Sequence, residues 1–326
     1  MKRIITPIIA GLLLSGCVVH VNGHAQDELI EQTKTLSLSS ADLTELKIDN
    51  SAGNIVVKGI EDAKSISLTA HIITAPDRSY TLTLDKQGDT AKLIAKHDAY
   101  IGVAWYSGQS PQISVEVHMP QHMLLEIDDG SGDISVSNVK GITIDDNSGY
   151  IELADIDGEI NIEDGSGHIT VTNAAKDIRI QDGSGQITLT NAKQGIHIQD
   201  GSGDININAG QFVFIDDESG NIKLRNIIGE ITLEDGSGEI DIIGGQSVTL
   251  KDDAGDIKIS NIASNVTIDD GSGDIRVTQT RGQVSIEDDA GDIAVSDSHA
   301  LEITEDGSGD VKISNVSHVS TLNLDR

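Results

Sequence analysis

From residue 122 onward the apolar side chains come in pairs two residues apart. Each pair set stands seven and five places before a glycine and two and four places after it, as at Ile160, Ile162, Ile169 and Val171 around Gly167. Alternation of period two predicts two short strands per repeat, each turning two side chains towards one interior. The anchor glycine recurs at Gly132, Gly149, Gly167, Gly185, Gly203, Gly220, Gly238, Gly255, Gly273, Gly291 and Gly309, always 17 or 18 residues apart, which leaves no room for variable loops. Two residues beyond it stands isoleucine ten times, from Ile134 to Ile293, and then Val311. One such unit buries too few side chains to fold alone. Stacking repairs this by pairing each strand in parallel with its counterpart one coil away, roughly 4.8 Å along the axis. The expected fold is therefore all-β: a parallel β-solenoid with two short strands per coil, about eleven coils and a length on the order of 50 Å, closed by an N-terminal antiparallel β cap.

The cap is read from what precedes the regular repeats. Leu46, Ile48, Gly53, Ile55 and Val57 in LKIDNSAGNIVV hold the repeat offsets, so an early copy stands before an interruption. Alternating runs at 65–73, 80–84, 92–95 and 112–117, separated by turn residues such as Pro76, Asp77 and Gly88, predict an antiparallel meander. Covering an open β edge prevents chain-to-chain pairing. The organisation expected is a leader at 1–16, a lipidated cysteine and tether at 17–35, a cap with the early copy at 36–121, and the solenoid at 122–326. At one corner of each coil, the Gly, Asn or Asp between the aspartate and the serine is expected to take φ > 0 and reverse the chain. At the other corner Asn138, Asn173, Asn191, Asn226, Asn261 and Asn315 predict a stacked amide ladder in left-handed backbone. Leu301 and Ile303 are shifted by one place before Asp306, which predicts a bulge.

The composition narrows the function. A net charge of −31 with 37% apolar and 2% aromatic residues requires an aliphatic core and disfavours nucleic acid or an anionic membrane surface, leaving cations or basic groups as partners. Lys2, Arg3 and the apolar run 4–14 predict a secretory signal peptide too short to span a membrane. Leu14, Ser15, Gly16 and Cys17 resemble a bacterial lipobox. That resemblance implies a diacylglycerol anchor on Cys17, and Val18 after it implies release to the outer membrane. Cys17 is the only cysteine, so no disulfide is expected. His20 and His24 read as solvated.

The sharpest candidate chemistry is the aspartate three residues before each anchor: Asp129, Asp146, Asp164, Asp182, Asp200, Asp217, Asp235, Asp252, Asp270, Asp288 and Asp306. Stacked carboxylates about 5 Å apart repel by ~0.8 kcal/mol even in water, and more near protein. Hydrogen bonds from turn amides and the nearby serine hydroxyl would offset this, as in an Asx turn. The alternative is weak Ca²⁺ bound between coils, for which Asp200 with Asp204 and Asp270 with Asp274 are the candidate ligands. In the calcium-binding nonapeptide β-roll the aspartate lies two places after the last glycine; here it follows directly, as in Gly203 and Asp204. That departure favours the turn reading, and no other cofactor is expected. Tyr100, Trp105 and Tyr106, in the segment 98–111, form a candidate contact surface for sugars or a partner, with plugging of the solenoid end as the alternative. Thr170, Thr172, Thr188 and Thr190 form an outward patch that neighbouring coils do not continue. His118 and His122 flank Pro120 without metal-ligand spacing, Ser131 and its equivalents lack a histidine base, and no glycine loop leads into a helix. An acid repeated in every coil serves the coil, so no enzyme is expected.

The lipobox, the early copy, the strand meander and the DGSGDIxVxN repeats together resemble the bacterial putative-adhesin family of β-strand-repeat proteins, a domain of unknown function found on envelope lipoproteins. The resemblance covers residues 36–326 and implies an envelope lipoprotein, adhesin-like or structural, on the periplasmic face or the cell surface. It carries over no catalytic residue. A periplasmic envelope-stress or cation-responsive scaffold binding a protein partner is the alternative, and a polysaccharide-active β-helix enzyme the third reading. The expected partners are the membrane, through Cys17, and an envelope protein or surface polysaccharide.

Overall fold

The computed structural model describes residues 29–76, 78–98 and 110–321. The early copy supplies β2 (Glu45–Asn50) and β3 (Ile55–Ile60), and the first regular copy β8 (Leu124–Asp129) and β9 (Ile134–Ser137). β2 pairs in parallel with β8, and β3 with β9, with Ile48 opposite Ile127 and Ile55 opposite Ile134. The same register continues from β10 (Gly141–Asp146) to β26 (Gln283–Asp288), even strands forming one parallel sheet and odd strands the other. The result is a parallel β-solenoid of about eleven turns with N-terminal antiparallel strands.

Strict alternation does the packing. Ile160, Ile162, Ile169 and Val171 are at most 2% exposed, and so are their equivalents in most coils, so one continuous aliphatic core runs from Leu43 to Ile303. Among the described residues its buried positions hold aliphatic and methionine side chains and no aromatic ring, Tyr80 packing against it only part-buried.

Three expectations are corrected here. The interruption is only partly a meander. β6 (Thr90–His97) pairs in parallel with β2, and β7 (Gln112–Pro120) with β3, so these two strands build a further coil on the outer side of the early copy. Ala91, Leu93, Val115 and Val117 fill the inward positions of that coil, which is why an alternating run alone could not separate parallel from antiparallel pairing. The antiparallel cap consists of β5 (Tyr80–Gln87) on β6, β4 (Ser65–Thr74) on β7 and β1 (Ile30–Ser39) on β4, so each sheet has its own cover. β1 also begins inside the segment expected to be a tether, because Leu36 and Leu38 pack against the core edge while its threonines satisfy an edge strand.

The third correction concerns the corner. Positive φ falls on the anchor glycine, as at Gly203 with φ +142°, and not on the residue between aspartate and serine. A Cβ built on Gly203 would lie 1.5 Å from the carbonyl oxygen of Gly185 in the preceding coil. Close backbone stacking as well as the dihedral therefore demands glycine there. At the opposite corner the asparagines behave as expected, with φ of +57° to +62° at Asn138, Asn173, Asn191, Asn226 and Asn261.

The C-terminal end differs. β27 (Ile293–Asp306) shifts register against β26 between Ile286 and Glu287, at the expected bulge. β28 (Val311–Thr321) then lies along both halves of β27, leaving Ile313 38% and Val319 48% exposed.

Candidate functional site: a buried aspartate column and two outer faces

The aspartates before each anchor glycine end the even strands, and parallel register sets each directly over the next, as with Asp146 and Asp164 or Asp182 and Asp200. From Asp129 to Asp288 they are at most 7% exposed. From Asp146 to Asp288, Oδ1 accepts the amide N–H two residues ahead, at 3.1–3.3 Å, as from Ser148, Ser219 and Ala290; Oδ1 of Asp306 has no such partner. This is the turn role expected. The serine hydroxyls do not share it: those of Ser166, Ser219 and Ser272 donate to backbone carbonyls of the preceding coil, and Ala254 and Ala290 replace serine without loss of the turn.

Oδ2 is left over. In Asp146, Asp164, Asp182, Asp200, Asp217, Asp235, Asp252, Asp270 and Asp288 it is buried with no hydrogen-bond partner, and in Asp129 both oxygens are. Burial pushes the carboxyls of Asp129, Asp182, Asp217, Asp252 and Asp270 up to about 7 and those of Asp146, Asp235 and Asp288 to about 6, with neighbouring carboxylates adding to the rise and turn amides opposing it. Asp164 and Asp200 are raised in the same direction, by burial. A column of such groups is partly protonated at neutral pH.

The four aspartates considered for calcium are not brought together. Asp200 and Asp270 belong to the buried column, whereas Asp204 and Asp274 stand past the corner and serve a different ladder. Oδ1 of Asp204 accepts the backbone N–H of Asn221, and Oδ1 of Asp274 that of Asp292, at 3.1 Å each. Among the described residues no three His, Cys, Asp or Glu side chains converge to hold a metal ion. This second ladder was missed in the sequence. Where Asp or Asn follows an anchor glycine, it reaches across to the amide of its counterpart one coil on, as Asp133 does to Tyr150, Asn221 to Glu239 and Asp292 to Asp310. Its signal is the short acceptor repeated directly after the glycine. The asparagine corner adds a third ladder, with Asn191 donating to Asn173 and Asn226 to Asn208.

Cys17, Tyr100, Trp105 and Tyr106 lie outside the described residues. The threonine patch stays within two coils, Thr170 facing Thr188 and Thr172 facing Thr190, flanked by Glu152 and Ala154 on one side and Asn206 and Asn208 on the other. His118 sits half-buried on β7 and His122 on an exposed turn, each without a metal-ligand set.

Two rows of contact chemistry were not foreseen. On the odd-strand sheet Tyr150, 56% exposed, stacks on His168 with ring centres 5.1 Å apart. On the even-strand sheet His197 stacks on Phe214 at 4.6 Å and 8°. Below that pair runs a groove of about 490 Å³ lined by side chains from Glu126 and Asp128 to His197 and Gln199.

The fold and these ladders define a capped, two-sheet parallel β-solenoid, whose recurring polar residues hold its corners and whose variable chemistry faces outward. The chain belongs to the Toastrack DUF4097 family, which matches residues 43–227 and 213–325. Among solved structures it is similar to a putative cell adhesion protein from Clostridium sporogenes, 12% identical over 60% of this chain and 99% of that one, with a TM-score of 0.37. A putative adhesin from Parabacteroides merdae is 13% identical over 89% and 96%, with a TM-score of 0.27. A putative lipid binding protein from Parabacteroides distasonis is 15% identical over 89% and 97%, with a TM-score of 0.22. No curated protein matches the chain.

Proposed function

We propose that this protein is a non-enzymatic lipoprotein of the cell envelope, held in the outer membrane through acylated Cys17, and that its solenoid is an adhesin-like rod presenting side chains to a partner outside itself. One observation carries the reading. The acids that repeat in every coil are engaged in corners and ladders, as Asp217 and Asp204 are, while the residues that differ between coils, such as Arg179, His197 and Phe214, face solvent. A catalytic site would need unlike groups converging on one point, whereas this arrangement repeats like groups along a line. The leader and lipobox sequence supports the anchor.

A periplasmic scaffold with a protein partner is the second reading, and β28 favours it. Among the described residues no strand pairs with its outer edge, beside exposed Ile313 and Val319, a geometry that accepts an added strand. Protease treatment of intact and permeabilised cells decides between the two. Cleavage of the wild-type chain on intact cells places the rod outside and supports adhesion; protection until permeabilisation moves it to the periplasm. Cys17→Ala should release the protein from the membrane fraction, and retention there would overturn the anchor.

A further inference from the structure

In a chain with only two phenylalanines, both stand on the outer face of one strand, β18 (Phe212–Asp217), while among the described residues the buried core holds no aromatic ring. Phe212 is 51% exposed, and Phe214 lies flat against His197. Exposed rings forgo burial and add nothing to the core here, so their placement calls for an external contact. Parallel register sets two columns of side chains beneath them. One runs Glu126, Thr143, Asn161, Arg179, His197 and Phe214; the other runs Asp128, Asp145, Glu163, Gln181, Gln199 and Asp216. The groove of about 490 Å³ lies along these columns up to His197 and Gln199, and the His197–Phe214 pair continues it.

The side chains are mostly planar and polar, and are repeated at the spacing of one coil. Carboxylates and amides offer two acceptors or an acceptor and donors from one plane, which suits adjacent hydroxyls or an acylamino group. The flat rings suit the C–H face of a pyranose. Arg179 makes no ion pair among the described residues although Glu163 precedes it in the next column, so its five donors remain available. A coil rise of roughly 4.8 Å is comparable to one sugar unit of an extended glycan, so each coil meets one unit of such a chain. Besides Glu126, which pairs with Lys47, three groove carboxylates, Asp128, Asp145 and Glu163, repel a polyanion.

We propose that this groove is a glycan-binding site that takes a linear, extended polysaccharide of neutral or N-acylated amino sugars, laid along the solenoid axis with one sugar over the His197–Phe214 pair. This rests on the reading of the protein as an adhesin-like rod and names the ligand class of that rod.

The test is titration calorimetry of the full chain in detergent with hexamers of β-1,4-linked N-acetylglucosamine, of β-1,4-linked glucose and of galacturonic acid. One or both of the first two should bind, and the uronate should not. Phe214→Ala and Arg179→Ala should each weaken binding about tenfold, and Tyr150→Ala, on the other sheet, should leave it unchanged. Both substitutions are at outward positions, so thermal melts should match wild type and separate lost binding from lost fold. Absence of binding to both uncharged hexamers at millimolar concentration, equal binding of the uronate, or binding indifferent to Phe214 and Arg179 would each overturn the proposal. The protease experiment reads the location of the rod independently, so a surface-exposed chain that binds no hexamer removes the glycan site and leaves the adhesin-like reading standing.

Discussion

The tightest constraints in this molecule act on single atoms at the first corner of each coil. At Gly203 a methyl group would sit 1.5 Å from a carbonyl oxygen in a backbone conformation that L residues avoid. At Gly201, two residues earlier, φ is ordinary and the equivalent place is held by Asn147, Glu218, Asp253 and Asp289 in other coils. Gly203→Ala should therefore cost about 3 kcal/mol or more, whereas Gly201→Asn should change stability by no more than about 1 kcal/mol. Denaturant unfolding of the two variants checks this, and similar midpoints would refute the account. The identity of the residue with positive φ was not legible in the sequence: both glycines of DGSG recur and both approach the coil below, a Cβ on Gly201 lying 2.7 Å from the Gly183 carbonyl oxygen, and only the stacking of coils shows that the closer contact and the positive φ both fall on the second.

At the scale of the strand ends, the aspartate column makes the fold sensitive to pH in an unusual direction. The carboxyls of Asp129, Asp146, Asp182, Asp217, Asp235, Asp252, Asp270 and Asp288 sit at about 6 to 7 in the folded chain, because burial and the neighbouring carboxylates, including Asp128, Asp145, Asp253, Asp274, Asp289 and Asp306, disfavour charge. In the unfolded chain they return to about 3.9. The folded state thus binds more protons across that window, and the column's contribution to stability falls as pH rises from about 4 to about 7, then stays level. Melting temperature should be higher at pH 5 than at pH 8; the reverse order would refute the burial argument. Asp217→Asn keeps the acceptor for Ser219, removes one charge between Asp200 and Asp235, and brings a donor towards an orphan oxygen. It should raise the melting temperature at pH 8 by about 2–4 °C and have little effect at pH 5. In the early coil an asparagine already stands at this place: Asn50 lies directly over Asp129, and its side-chain amide donates to the carbonyls of Gly53 and Ile113.

Over the whole molecule, a charge of −31 is spread along a rod whose two ends are unlike. The N-terminal edges are covered by β1, β4 and β5, while among the described residues no strand pairs with the outer edge of β28. Self-repulsion of this charge is screened when NaCl rises from 10 to 150 mM and the Debye length shortens from about 30 to about 8 Å. The melting temperature should rise by several degrees over that range, and an unchanged value would show that the acidic rows are already neutralised within the fold.

The sequence by itself determined the solenoid, its coil length, its aliphatic interior, the asparagine corner and the C-terminal bulge, because each follows from period-two alternation and from residue types repeated every 17 or 18 positions. Repetition fixes which residues share a row without reference to anything distant. Only the tertiary structure decided that 90–97 and 112–120 leave the interruption to stack on the early copy, since inward alternation fits a parallel or an antiparallel neighbour equally well. The candidate groove was illegible for the same reason. Arg179, His197 and Phe214 lie 17 or 18 residues apart and are unlike one another, and only the parallel register of β18 with the coil below brings the two rings within 4.6 Å.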